Sequence, residues 1–130
     1  MKKLLEAAIK ARENAYVPYS HFKVGEALLL KDGTIIMGSN IENASYGLCN
    51  CAERTALFTA YASGVKKEDI VAMSVCGDTD GPVSPCGACR QVMSELLDSK
   101  TPIYLTNLKG DVKEMTVSEL LPYSFNGDVL

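Results

Sequence analysis

The sequence predicts an α/β fold, a three-layer α/β/α arrangement around a mixed sheet of about five strands. Three observations carry that expectation. Apolar runs at 24–30 and 34–39 flank Asp32-Gly33, and runs at 102–106 and 111–115 flank Lys109-Gly110; turns of this kind favour a residue with positive φ and join antiparallel neighbours. Residues 70–76 (Ile-Val-Ala-Met-Ser-Val-Cys) are almost continuously apolar, as a central strand covered on both faces should be. Helical patterns are interleaved with these runs, the layout of a layered α/β domain.

In chain order, Leu4, Leu5, Ala8, Ile9 and the stretch from Ala11 to Ala15 form an amphipathic helix that ends before Val17-Pro18, because the residue preceding proline is pushed out of the helical region. Its apolar stripe should lie on the sheet. The first hairpin follows. Residues 40–50 are polar and contain Gly47, so they read as a loop. Cys51 to Ala62 reads as a helix with Ala, Leu and Phe on one face, stopped by Ser63-Gly64. After the central strand, residues 77–85 form a loop leading into a helix from Cys86 to Leu97. The second hairpin and a short helix, Val117 to Leu121, complete the order α, β, β, α, β, α, β, β, α. No repeat, linker or low-complexity segment interrupts residues 1–130, which are expected to form one domain.

Composition narrows the function. Hydrophobic residues are 47% and charged residues 22%, with a formal net charge of -3. That balance, with no Lys/Arg cluster, disfavours a nucleic-acid surface. The start of the chain, Met1-Lys2-Lys3-Leu4-Leu5-Glu6, is interrupted by further charges at Lys10, Arg12 and Glu13, so it reads as a helix and not as a signal peptide. No stretch approaches the ~20 apolar residues of a membrane span. A soluble, cytoplasmic protein is expected. Five cysteines, clustered and odd in number, suit metal binding better than a disulfide framework.

The chemistry concentrates in Cys51-Ala52-Glu53 and Pro85-Cys86-Gly87-Ala88-Cys89. Zinc takes four tetrahedral ligands, and a catalytic zinc keeps one position for water; three cysteines therefore make a site with an opening. Both segments fall at helix starts, where unpaired N–H groups and the helix dipole stabilise thiolates. Cys86 and Cys89 are spaced to grip one ion, with Cys51 arriving from the other helix, which requires two helices starting side by side at one edge of the sheet. Glu53, beside the opening, is placed to move protons. The competing role for Glu53 is a first-turn acid complementing the helix dipole. Positions two apart on a helix do not face each other, so Cys51 and Glu53 converge only if the metal lies off the helix end. His21, the one histidine, has no partner near it, which leaves an all-cysteine site. Three thiolates and Zn²⁺ sum to -1, and Arg54 is the evident compensator; a solvated helix charge is its other reading. Cys76 reads as a small buried group. Cys49 reads as core or incidental, although it would close a structural site if it joined the other three.

These segments carry a resemblance. Asn40-Ile41-Glu42-Asn43-Ala44-Ser45-Tyr46-Gly47, Cys51-Ala52-Glu53-Arg54 and Ser84-Pro85-Cys86-Gly87-Ala88-Cys89-Arg90-Gln91, with Tyr19-Ser20-His21-Phe22-Lys23-Val24-Gly25 before the first strand, resemble the small cytidine deaminases. The match to the zinc-dependent base-deaminase signature is part of it. Cys-Ala-Glu in place of His-Ala-Glu is similar to the homotetrameric branch, whose subunits are about this long. The resemblance implies hydrolysis of cytidine and deoxycytidine to uridine, deoxyuridine and ammonia in pyrimidine salvage, by a zinc-activated water with Glu53 as proton shuttle. It implies one Zn²⁺ per subunit on Cys51, Cys86 and Cys89. It also implies that Asn40 and Glu42 hydrogen-bond the ribose 3′-hydroxyl, and that Phe22, Ile41, Ala52 and Ser84 contribute to the substrate pocket. Phe125 would stack on the base from a neighbouring subunit. Turn chemistry is the plain alternative for Asn40 and Glu42. A related aminopyrimidine substrate, nucleic-acid editing and a closed structural zinc module stand as rival functions.

Overall fold

A computed structural model of the chain describes residues 1–127; positions 128–130, the end of the expected domain, lie outside the described residues. Its elements are α1 (Lys2–Ala11), β1 (Val24–Leu30), β2 (Ile35–Ser39), α2 (Ala52–Ala62), β3 (Ile70–Gly77), α3 (Gly87–Leu96), β4 (Pro102–Asn107), β5 (Val112–Thr116) and α4 (Val117–Leu120). The five strands form one mixed sheet in the order β2-β1-β3-β4-β5. β3 is central, antiparallel to β1 and parallel to β4. Both hairpins turn where expected, with Gly33 at φ +89° and Gly110 at φ +90°. The expected α/β class, strand number and element order all hold.

The layers follow from the burial pattern. On α1, Leu4, Ala8 and Ala11 are buried, a spacing that puts one stripe on the sheet. Leu4 and Ala8 pack with Ala27, Ala72 and Cys76. The opposite face carries α2 and α3, whose Ala56, Leu57, Ala60, Cys89 and Met93 join Leu28, Met73, Val75, Ile103 and Leu105. Alternate residues of β3 thus serve two cores, which explains its unbroken apolar run. Cys76 is fully buried, as expected of a small apolar group.

Glycine at position 38 decides how closely α2 can lie on the sheet. A Cβ there would meet the Ala52 carbonyl oxygen and the Ala56 nitrogen, each at 2.6 Å. Any side chain would lift the first turn of α2, and with it Cys51 and Glu53. The two cysteine-bearing helices start side by side, as expected. α2 lies over β1 and β2, and both helix starts meet over one face, at the end of the sheet where β3 finishes. The chain leaves that end along α2, returns on β3 and leaves again along α3.

One core residue breaks the pattern. Glu26 on β1 shares a face with Leu28, is fully buried, and neither carboxylate oxygen has a hydrogen-bond partner. Burial pushes its pKa well above the ordinary 4.5, and the nearby charge of Glu53 adds to the effect. In the unfolded chain Glu26 ionises near its ordinary value, whereas the fold holds it neutral. Stability should therefore fall as pH rises above about 4.5, until the raised folded-state pKa is passed. Glu26→Met should remove this decline and stabilise the protein at neutral pH by about 1–3 kcal/mol, the cost of an unpaired buried polar group, with a smaller gain near pH 4. Thermal melts of both proteins at the two pH values check this, and equal gains would refute the assignment.

Candidate functional site

Cys51 and Cys86 are the N-cap residues of α2 and α3, and Cys89 lies in the first turn of α3. The Sγ atoms of Cys51, Cys86 and Cys89 all lie within 4.8 Å of one another. Cys51 and Cys86 are 3.7 Å apart. Zn–S bonds of about 2.3 Å at tetrahedral angles separate two sulfurs by roughly 3.8 Å, so the cluster is compatible with one zinc ion. The Cys89 N–H donates to Cys86 Sγ at 3.4 Å, one of the unpaired helix-start donors expected to favour a thiolate. Cys89 is buried, Cys51 half-buried and Cys86 exposed.

The electrostatics favour thiolate at Cys51. The Cys51 pKa is held down to about 5, chiefly by a hydrogen bond from the Cys89 thiol, with Arg54 and Cys86 assisting against the effect of burial. Its neighbour Cys89 is pushed up by the same interaction and by burial. Arg54 Nη2 donates to Cys51 Sγ at 3.4 Å. The guanidinium is thus turned inward on the sulfur and is not a solvated helix charge.

Glu53 is only 4% exposed. Burial raises its pKa first, and the negative charge on Cys51 adds to this. It lines a cavity of about 210 Å³ with Phe22, Val24, Asn40, Cys51, Ala52, Val83, Ser84 and Cys86. Glu53 and two of the three cysteines, Cys51 and Cys86, therefore line one small pocket. Cys49 is elsewhere: its Sγ accepts from the Asn43 N–H at 3.3 Å and donates to the Asn43 carbonyl at 3.6 Å. The fourth corner of the cluster is not taken by that thiol. A larger cavity of about 300 Å³, lined by Leu30, Lys31, Asp32, Ser63, Gly64, Val65 and Asp69, gathers no set of metal-ligating groups.

The first 105 residues match the family model described as the cytidine and deoxycytidylate deaminase zinc-binding region. The chain belongs to that family. It is 63% identical over 125 residues to a cytidine deaminase of Halalkalibacterium halodurans, covering 96% of this chain and 93% of that one. It is 56% identical over 130 residues to a cytidine deaminase of Sporosarcina psychrophila, covering 100% and 94%. Among solved structures, the cytidine deaminase of Burkholderia pseudomallei superposes with a TM-score of 0.93 at 56% identity, covering 95% of this chain and 98% of that one.

Against this family background, the remaining site residues divide in two. Phe22, Asn40, Ala52 and Ser84 reach the cavity with Glu53. Asn40 uses its amide on the backbone, accepting from the Val24 N–H at 2.9 Å and donating to the Phe22 carbonyl at 2.8 Å. Ile41, Glu42 and Phe125 do not line it. Ile41 pairs its backbone with Asn50 at 2.9 Å in both directions, fixing the approach to Cys51. Glu42 faces a neighbouring cavity with Tyr19, Ser20, Tyr46 and Cys49. Its carboxylate accepts from the Tyr19 and Ser20 N–H groups and the Ser20 hydroxyl, and these bonds, the hydroxyl's first, hold its pKa below the ordinary value. Phe125 is exposed, and its carbonyl accepts from Gln91 Nε2 at 3.2 Å. Sequence reasoning missed Val24 and Val83 as pocket walls; an apolar residue beside a motif carries no distinguishing signal.

Removing the Arg54 guanidinium should weaken the metal site without unfolding the helix. Arg54→Ala is expected to lower zinc affinity about 10–100-fold, the usual effect of losing a group that hydrogen-bonds a metal ligand. Competition with a chelating dye checks this; unchanged affinity would place Arg54 outside the site.

Proposed function

We propose that the protein hydrolytically deaminates cytidine and deoxycytidine, giving uridine or deoxyuridine and ammonia, as part of pyrimidine salvage in the cytoplasm. The single observation that carries this reading is the buried Glu53 sharing a 210 Å³ cavity with Cys51 and Cys86 of a three-sulfur cluster that Cys49 does not close. A closed structural zinc module would have no use for that cavity or for an acid inside it.

Cys51, Cys86 and Cys89 would hold the zinc, which when bound supplies a water of lowered pKa and polarises the reacting centre. Glu53 carries the protons. As carboxylate it takes one from the water and places it on N3 of the cytosine while the water oxygen attacks C4. It then moves the remaining hydroxyl proton to the exocyclic nitrogen, which leaves as ammonia. A raised pKa suits a group that must both accept and return a proton near neutrality. Phe22, Val24 and Val83 supply apolar walls for the pyrimidine and exclude water. Arg54 offsets the surplus negative charge of three thiolates.

The cavity wall contains no Lys or Arg, which supports a neutral nucleoside over a nucleotide or a single-stranded nucleic acid. Asn40 and Glu42 would serve the ribose hydroxyl, with Glu42 turning from Ser20 towards the sugar. We infer a homotetramer whose neighbouring subunits complete each pocket, Phe125 among the residues they supply. Exposed Phe125, Phe58, Tyr46 and Leu48 fit that reading, because α2 carries Phe58 on the side away from its own core.

Purified zinc-loaded protein should convert cytidine with loss of absorbance and one ammonia released per turnover. Glu53→Gln should keep its zinc and fold and lose about 10²–10⁴-fold or more in kcat. Activity within tenfold of the parent would refute the role given to Glu53. No turnover of any free nucleoside by the zinc-loaded parent would refute the function.

A further inference from the structure

Loop 78–86 delivers Ser84 and Cys86 to the site, and its two ends are held differently. The early part is tied to β4 and its hairpin: Asn107 Nδ2 donates to the carbonyls of Thr79 and Asp80 at 3.0 and 3.1 Å, and Lys109 pairs with Asp80 at 3.0 Å. The Val83 N–H donates to the Thr106 carbonyl at 3.2 Å. Beyond Val83, among the described residues, Arg90 supplies the side-chain hydrogen bonds to Ser84 and Pro85, while Cys86 Sγ meets Cys51 Sγ at 3.7 Å. Arg90 Nε donates to the Pro85 carbonyl at 2.9 Å and its Nη2 to the Ser84 hydroxyl at 2.7 Å. Its Nη1 reaches the Leu120 carbonyl at 2.8 Å, at the end of α4.

We propose that Arg90 is a positioning residue that latches the exposed side of the metal site. It stands one residue after Cys89 and grips the two residues before Cys86, so it fixes the distance between a buried ligand and an exposed one. Cys86 is the most exposed of the three sulfur-bearing residues; an ion that escapes must let go on that side first. The same grip holds Ser84 at the wall of the cavity that Phe22 also lines. A purely structural Arg would cap the carbonyl end of α4, but two of its three bonds go to the loop and one to α4. The planar fork makes these bonds together, in directions that a lysine ammonium on a flexible stem cannot reproduce.

The inference rests on the zinc reading and not on the choice of substrate. In zinc-loaded protein, Arg90→Lys should speed zinc release to a chelator about tenfold and raise the KM for cytidine more than it lowers kcat. Ser84→Ala, which removes one bond of the latch, should shift release in the same direction by less. Lys109→Ala, at the far end of the loop, should leave release and KM unchanged. A lowered melting temperature for Arg90→Lys with parental zinc release and KM overturns the proposal, as does equal acceleration by Lys109→Ala. If Arg90→Lys does not fold, Ser84→Ala decides the matter by zinc release. If the parent holds zinc but does not deaminate cytidine, the substrate reading fails and zinc release still tests Arg90.

Discussion

Three sulfur atoms must stand roughly 3.8 Å from each other to share one zinc ion, and the path of the chain serves that requirement. Cys51 and Cys86 are 35 positions apart in sequence and 3.7 Å apart in space. No local pattern achieves this. The path of the chain does: down α2, back on β3, down α3, so that two helix starts point their unpaired N–H groups at one spot. A parallel β3–β4 pair requires a crossover between its strands, and α3 is that crossover. Gly38 then lets α2 settle far enough onto β1 and β2 for its N-cap to reach the second cluster.

Charge sets the next constraint. Three thiolates outweigh one divalent cation, and Glu53 adds a fourth acidic group to the same low-dielectric pocket. The structure answers with Arg54 aimed at Cys51 and with burial and the Cys51 charge opposing ionisation of Glu53. An arginine held this way remains charged at any accessible pH. The Glu53 carboxyl, by contrast, is made harder to ionise by burial and by the charge of Cys51. That asymmetry between neighbours in sequence sets a fixed positive charge beside Cys51 and an acid that resists ionising next to it.

The fold was largely legible because its signals are local. Asp32-Gly33, Lys109-Gly110 and the run at 70–76 each act within a few residues, and each element starts within a residue or two of the expected place. The sulfur cluster was legible because spacing and chemistry agree, and Arg54 because charge balance demanded a cation there. What the sequence hid depends on tertiary direction. Glu42 is captured by Ser20 and Tyr19, more than twenty positions away, so its motif position says nothing about which cavity it faces in this chain. Phe125 has no local pattern to fix its side chain. Which strands each helix covers is likewise hidden, because element order does not reveal it.

Glu26 marks the limit of local rules in another way. Its place between Gly25 and Ala27 on a strand reads as a polar residue on an outer face, since half-buried strands alternate. β1 is instead covered on both sides, so no outer face exists, and the carboxyl lies without a partner under the same layer that carries Glu53. Buried orphan groups are rare and costly in well-packed cores. Among the described residues the others are Arg54 Nε and Ser74 Oγ. Arg54 and Glu26 both lie on the α2 side of the sheet, which is the side of the sulfur cluster, whereas Ser74 faces α1. Local rules are most often broken where a site is built. The sulfurs account for the placement of Arg54. The Glu26 carboxyl has no such partner, and the charge of Glu53 adds to the burial that opposes its ionisation.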